Sequence, residues 1–241
     1  MQENMKNVAY TKEYLDMLDD IYCRLFIPKC YKNEVSKELE KNLRVLTKGY
    51  FYDNGDSKHP YKLQGSETVI FRDETEIYSY KTVDDADRDC WMFSHQNGHD
   101  YFLFARGLYG YSVLDLVTMQ DYHFYPAESF PTGETFIWCD VHYNPINNIM
   151  AVVGCYWACP YSVVLVDFSK PMEDTRQIDI NNFINKGDHY DDMDFVAWDG
   201  TDLILKINGQ TKPVQQEVRR VSSDEYMKWF AERIDTGDEA K

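Results

Sequence analysis

Apolar side chains recur along this chain with two different periods, and the change between them divides it. Tyr14, Leu15, Leu18, Ile21, Tyr22 and Leu25 fall three or four residues apart, the spacing of one helix face. Thr11 stands where an N-cap belongs, and Pro28 comes where such a helix should end. From Asn33 onward, Val35, Leu39, Leu43 and Leu46 keep the same spacing up to Gly49. The pattern therefore predicts two amphipathic helices joined by IPKCYK, a helical hairpin over residues 1–49 whose stripe covers an edge or face of the later β region.

Beyond Gly49 the period falls toward two. YFYDNGDSKHPYKLQGS reads as a loop with a short strand at Tyr50–Tyr52, and TVIFRDETEIYSYKTV as a hairpin turning near Asp73-Glu74. The acidic run DDADRD, residues 84–89, reads as a solvated connection. The apolar stretch FIWCDVHYNPINNIMAVVGCYWACPYSVVLVDF, residues 136–168, then has a weaker upstream copy. With residues 94–107 set against 141–154, His95 falls on His142, Asn97 on Asn144 and Gly107 on Gly154. Each copy continues into aromatic turn residues, a Tyr-Ser-Val step (Tyr111, Tyr161) and an apolar-Asp-apolar step at Asp115 and Asp167.

A repeat of about 47–52 residues is in the range of propeller blades, so each unit is expected to be a four-stranded antiparallel meander. A shorter third unit comes next in FVAW, the turn Asp199-Gly200 and LILKI, with Asn208-Gly209 as a further turn. Ser222 and Glu225 fit a capping box for a last helix carrying Tyr226, Trp229, Phe230 and Arg233 at helical spacing, and the last six residues read as a frayed tail. The expected fold is mainly β: propeller-like meanders over residues 50–221, flanked by the N-terminal hairpin and a C-terminal helix and tail over 222–241.

YSVLDLVTMQDYHFYP and YSVVLVDFSKP resemble the third-to-fourth-strand segment of WD40-type propeller blades, in which an Asp ends the third strand. The resemblance spans the two clear units and implies blade-like packing. It departs from the family in having no Trp before Asp115 or Asp167, and in placing Gly98-His99 close to Asp115. The chain is also similar to bacterial proteins with YGYS-, FIW- and GCYW-type strings, a likeness that carries no activity with it.

Charge narrows the partners. Residues 1–60 hold ten acidic and ten basic side chains, while residues 61–241 hold 31 acidic against 15 basic, which is the whole net charge of −16. No Lys or Arg lies between Arg106 and Lys170. Such a surface repels phosphate backbones and anionic lipid, so nucleic acid and membrane are not expected partners, and a basic protein is. The start shows no apolar leader segment and no window is long enough to span a bilayer, which points to the cytoplasm and to reduced thiols for the six cysteines.

Four groups of residues invite chemistry. The paired His95/Asn97 and His142/Asn144 form a polar rim able to bind a metal or move a proton, but recurrence in both units favours a turn-fixing role. The aromatic turns GLYGYS and GCYWACPYS gather Tyr109, Tyr111, Tyr156, Trp157 and Tyr161, residue types that anchor interfaces or stack on flat ligands, or else fill the wall between units. Cys155 and Cys159 are four apart and lack the tight pairs of a structural zinc site. Asp85, Asp87 and Asp89 begin like a calcium loop but meet Cys90 and Gln96 where Gly and Glu belong, while Asp188, Asp191, Asp192 and Asp194 read as a solvated turn. No phosphate-binding loop, dinucleotide glycine pattern, nucleophile elbow or HExxH string occurs, so no cofactor or metal is expected.

Together these features predict a non-catalytic interaction module, of inhibitor or immunity type, that offers an acidic surface and aromatic anchors to a basic partner. The alternative is a hydrolase or carbohydrate-binding protein that combines the aromatic platform with paired carboxylates, and a self-assembling scaffold is a third possibility.

Overall fold

A computed structural model describes residues 6–84, 89–184, 191–209 and 216–235. Most of the acidic run, including Asp85 and Asp87, lies outside these residues, as do Asp188 and the C-terminal tail. The first helix forms as the spacing predicts: α1 spans Lys12–Leu25, and the Thr11 hydroxyl accepts the Tyr14 N–H. Its inward face carries Tyr14, Leu18 and Leu25 against Tyr50, Tyr52 and Leu63, with Tyr125 and Phe130 from farther along the chain.

The second predicted helix does not form. Residues 33–46 lie in an antiparallel strand pair, β1 (Tyr31–Glu38) and β2 (Leu43–Asp53), reversed through Lys41 and Asn42, both with positive φ. Every residue of β1 is exposed, including Val35, whereas Leu43 and Val45 of β2 are buried. Leu39 and Leu43 meet in one core while Val35 points to solvent, so the four do not form one helical stripe. All eleven residues of β2 pair with β3 (Lys62–Arg72), and that long-range ladder outweighs the local helix preference of VSKELEKN. β3 turns through Asp73 and Glu74, at φ 49° and 64°, into β4 (Thr75–Val83), the hairpin the sequence predicts.

Three more antiparallel meanders come after it in chain order. The second sheet is β5 (Trp91–Ser94), β6 (Asp100–Phe104), β7 (Tyr111–Asp115) and β8 (Asp121–Phe124). The third is β9 (Ile137–Asn144), β10 (Ile149–Cys155), β11 (Tyr161–Asp167) and β12 (Arg176–Asp179), ending in one helical turn, α2 (Asn181–Ile184). The fourth has three strands, β13 (Asp192–Asp199), β14 (Asp202–Asn208) and β15 (Gln216–Val221), and runs into α3 (Ser223–Asp235). Ser222 caps α3 by accepting the Glu225 N–H at 3.3 Å.

Alternation along the strands joins each sheet to the next. Phe102, Phe104 and Leu114 face Leu43, Val45 and Ile70 of the first sheet. Tyr101, Leu103 and Val113, their neighbours in sequence, face Met150, Val152, Val164 and Val166 of the third. Ala151, Val153, Val163 and Leu165 in turn meet Met193, Leu203, Leu205 and Ile207 of the fourth, with Tyr226, Trp229 and Phe230 of α3 completing that core. The central strands are therefore buried on both faces, which explains their unbroken apolar runs. Among the described residues three such cores serve four sheets, and none joins the first sheet to the fourth. The fold is a propeller-like succession of blades stacked in chain order.

Candidate functional site

Of the recurring His and Asn residues, His95 and Asn97 sit in the turn between β5 and β6, while His142 and Asn144 lie at the end of β9, just before its turn into β10. Asn97 donates its backbone N–H to His95 Nδ1 at 3.1 Å, so the His95 proton is on Nε2, which donates to the Phe168 carbonyl at 3.0 Å. His95 is buried and ties the second sheet to the third. The Asn97 side-chain amide donates to the Tyr101 hydroxyl, and its oxygen accepts the His99 N–H. Asn144, 1 % exposed, makes the corresponding tie one sheet later: its amide donates to the Gly200 carbonyl at 2.9 Å, and its oxygen accepts the Ile146 N–H.

His142 departs from its counterpart. It is partly exposed, lies 3.2 Å from Asp140 Oδ2 through Nε2, and stacks on Phe195 at 3.9 Å and 11°. The two imidazoles face different neighbours and make no common centre. His99 instead pairs with Asp115 at 2.7 Å, while Asp115 Oδ1 accepts the Val117 and Thr118 N–H groups. Burial raises the Asp115 pKa, but these bonds outweigh it and hold the carboxyl below its usual range. Among the described residues no group of three or more His, Cys, Asp or Glu side chains is arranged to hold a metal ion.

The aromatic turns divide sharply. Tyr111 is a core residue, 3 % exposed, stacked on Trp138 at 4.8 Å and on Phe124 at 5.4 Å, with its hydroxyl 2.9 Å from Thr175 Oγ1. The expectation that it helps form a binding surface is corrected: as the first residue of a strand covered on both sides, its ring can only point inward. Tyr109 and Tyr156 are half-buried, the latter edge-on to Phe136 at 5.3 Å. Trp157 and Tyr161 reach solvent, at 61 % and 47 % exposure.

Their turn is held firmly. Cys159 donates its N–H to the Tyr156 carbonyl at 2.9 Å, and Ala158 takes a positive φ of 60°. Behind it, a Cβ on Gly154 would lie 2.0 Å from the Ile137 carbonyl and 2.7 Å from the Phe136 ring, so this glycine is required by close approach. At Gly107, its counterpart in the repeat, the nearest atom would be 3.8 Å away. The neighbouring Cys139 thiol, with burial, Cys155 and Asp192 contributing less, raises the Tyr161 pKa. All six cysteines are free, Cys159 exposed and Cys155 half-buried.

A second feature is built from residues far apart in sequence. A cavity of about 290 Å³ opens between the first and second sheets, lined by Tyr22 of α1, Glu67, Tyr78, Tyr80 and Lys81 of β3 and β4, and Arg106, Asp121 and His123. The Tyr78 hydroxyl donates to Asp121 Oδ2 at 2.5 Å. His123 Nδ1 lies 2.8 Å from Ser112 Oγ and Nε2 lies 3.4 Å from Asp121. Burial, reinforced by the adjacent Arg106 cation and only partly opposed by Asp121, lowers the His123 pKa to about 4, so the ring is neutral at neutral pH. No motif marks this cavity in the sequence, because strand pairing and α1 packing assemble it.

No family model and no curated protein matches the chain. One solved structure that resembles it is a bifunctional GH43-CE protein of Bacteroides eggerthii, at 10 % identity and a TM-score of 0.34, matched over 79 % of this chain and 24 % of that one. The chain thus spans about a quarter of the length of the structure it matches.

Proposed function

We infer that this protein is an interaction module that grips a basic protein partner through its acidic surface and the Trp157–Tyr161 turn. The solvent exposure of Trp157 and Tyr161 carries this reading. Trp157 sits on the CYWACP insertion, longer and more aromatic than its counterpart LYG, and Tyr161 directly follows it at the position that Tyr111 holds in the other unit, where the ring is buried in the core. A large aromatic on a fixed turn gives apolar area at little entropic cost, which is what an interface anchor needs. Charge comes from the chain as a whole, since residues 61–241 hold 31 acidic side chains against 15 basic, and Asp192 is close enough to Tyr161 to act on its hydroxyl. Asp115 and Asp167, the carboxylates that end the third strands, lie at the opposite end of the strands and are engaged by His99 and Arg176, so they are not available to the turn as an acid–base pair.

The test is a side-by-side capture from the source cells with the native protein and with Trp157→Ala and Tyr161→Ala. Both side chains are exposed, so the variants should keep their melting temperatures. A basic protein should be retained by the native chain at about 0.1 M salt, released toward 1 M as the screening length falls to about 3 Å, and lost from the Trp157 variant. Capture of the same proteins by all three would rule the reading out.

A further inference from the structure

We propose that the cavity between the first and second sheets binds a small oxyanion, a carboxylate or phosphate group, on Arg106 and Lys81. Arg106 is half-buried where the chain leaves β6, and its backbone carbonyl accepts the Val83 N–H, which fixes the start of the side chain. Its guanidinium donates a long bond, 3.4 Å, to the Tyr22 hydroxyl. Among the described residues it has no carboxylate at ion-pair distance; Arg72 likewise has none and bonds the Leu116 carbonyl, whereas Arg24, Arg44, Arg176, Arg219 and Arg220 each have one. A guanidinium withdrawn from water normally meets an anion, and this one lines a cavity.

Lys81 lines the same cavity and likewise has no carboxylate at ion-pair distance among the described residues. Its ammonium lies over the rings of Tyr22 and Phe26, at 5.2 and 5.0 Å from their centres, which holds the charge in place without neutralising it. Of the two carboxylates that line the cavity, Asp121 already accepts from Tyr78 at 2.5 Å and faces His123, and Glu67, which pairs with Lys81 across β3 and β4, is bonded to the Tyr50 hydroxyl. Two cations without a carboxylate partner among the described residues therefore line one cavity. The volume, about 290 Å³, has room for an oxyanion with a short organic tail. Planar donors on Arg106 suit the paired oxygens of either group, and Lys81 adds a point charge.

Calorimetric titration of the full chain with inorganic phosphate and, separately, with acetate tests this, using chloride at matched ionic strength as the blank. Saturable binding of one or both is expected, and which of them binds identifies the source of the oxyanion. Arg106→Gln should weaken it by about tenfold or more and Lys81→Gln by a smaller factor, while Arg220→Gln, in the fourth sheet, should leave it unchanged. Should Arg106→Gln fail to fold, Lys81→Gln decides: weaker binding supports the site, and native affinity overturns it. Absence of saturation by either anion up to about 50 mM, or native affinity in both cavity variants, would also overturn it.

Discussion

At the scale of single residues, a few of the polar side chains this chain buries serve as fasteners between sheets. His95 reaches the Phe168 carbonyl and Asn144 reaches the Gly200 carbonyl, each from the turn of one sheet to a backbone group brought alongside by the next. Recurrence of the same residues in two units pointed to a role in fixing turns, but not to which of them reach the next sheet: Asn97 bonds within its own sheet and His142 stacks on Phe195. Tyr111 was not legible: the string GLYGYS carries no mark of which ring turns inward, and the choice depends on Trp138 and Phe124 arriving from elsewhere. Arg106 and His123 were hidden for the same reason. The buried imidazole of His123 makes stability depend on pH. Its pKa is about 4 in the folded chain against about 6.5 when unfolded, so the unfolded state takes up a proton first as pH falls. The stability this histidine contributes is complete above about pH 6.5 and is lost progressively down to about pH 4, in total on the order of 3 kcal/mol. Urea midpoints measured from pH 7 to pH 4 should fall more steeply for the native chain than for His123→Gln. Parallel curves would show that the ring does not titrate this way.

Whole elements were more readable where apolar runs are long. β6, β7, β10 and β11 all form near their expected positions, since a strand covered on both faces needs nearly every residue apolar. The failure lies at the first sheet. VSKELEKNLRVL has charged residues with good helix propensity and apolar residues at helical spacing, yet it folds as an exposed edge strand and a half-buried neighbour. An edge strand rich in Lys and Glu is a usual defence against pairing with other chains, and in sequence it resembles a solvated helix face. The two readings differ by experiment. On a helix stripe Val35 and Leu43 would matter alike, whereas in the strand pair Val35 is 61 % exposed and Leu43 is 1 % exposed. Leu43→Ala should cost about 2–5 kcal/mol in chemical denaturation and Val35→Ala no more than about 0.5 kcal/mol.

Across the whole molecule, each sheet packs on its neighbours in chain order, and among the described residues the cores that join sheets form only between successive ones, while α1 covers the first. Stability in such an array is close to a sum over units and the interfaces between them, so the ends can open while the middle holds. Backbone amides of β6, β7, β10 and β11 should exchange slowest with deuterium. Those of β1, exposed along its length, and of β15, whose residues are mostly exposed, should exchange first and with little dependence on global stability. Uniform protection across all four sheets would instead indicate a single cooperative unit. The Trp157–Tyr161 turn and the Arg106 cavity both involve the inner blades, one on the third and the other bridging the first and second. A ligand on either would stiffen one junction and leave the far end free to breathe, so occupancy at one end of the array should be readable as altered exchange at the junction it touches and silence beyond it.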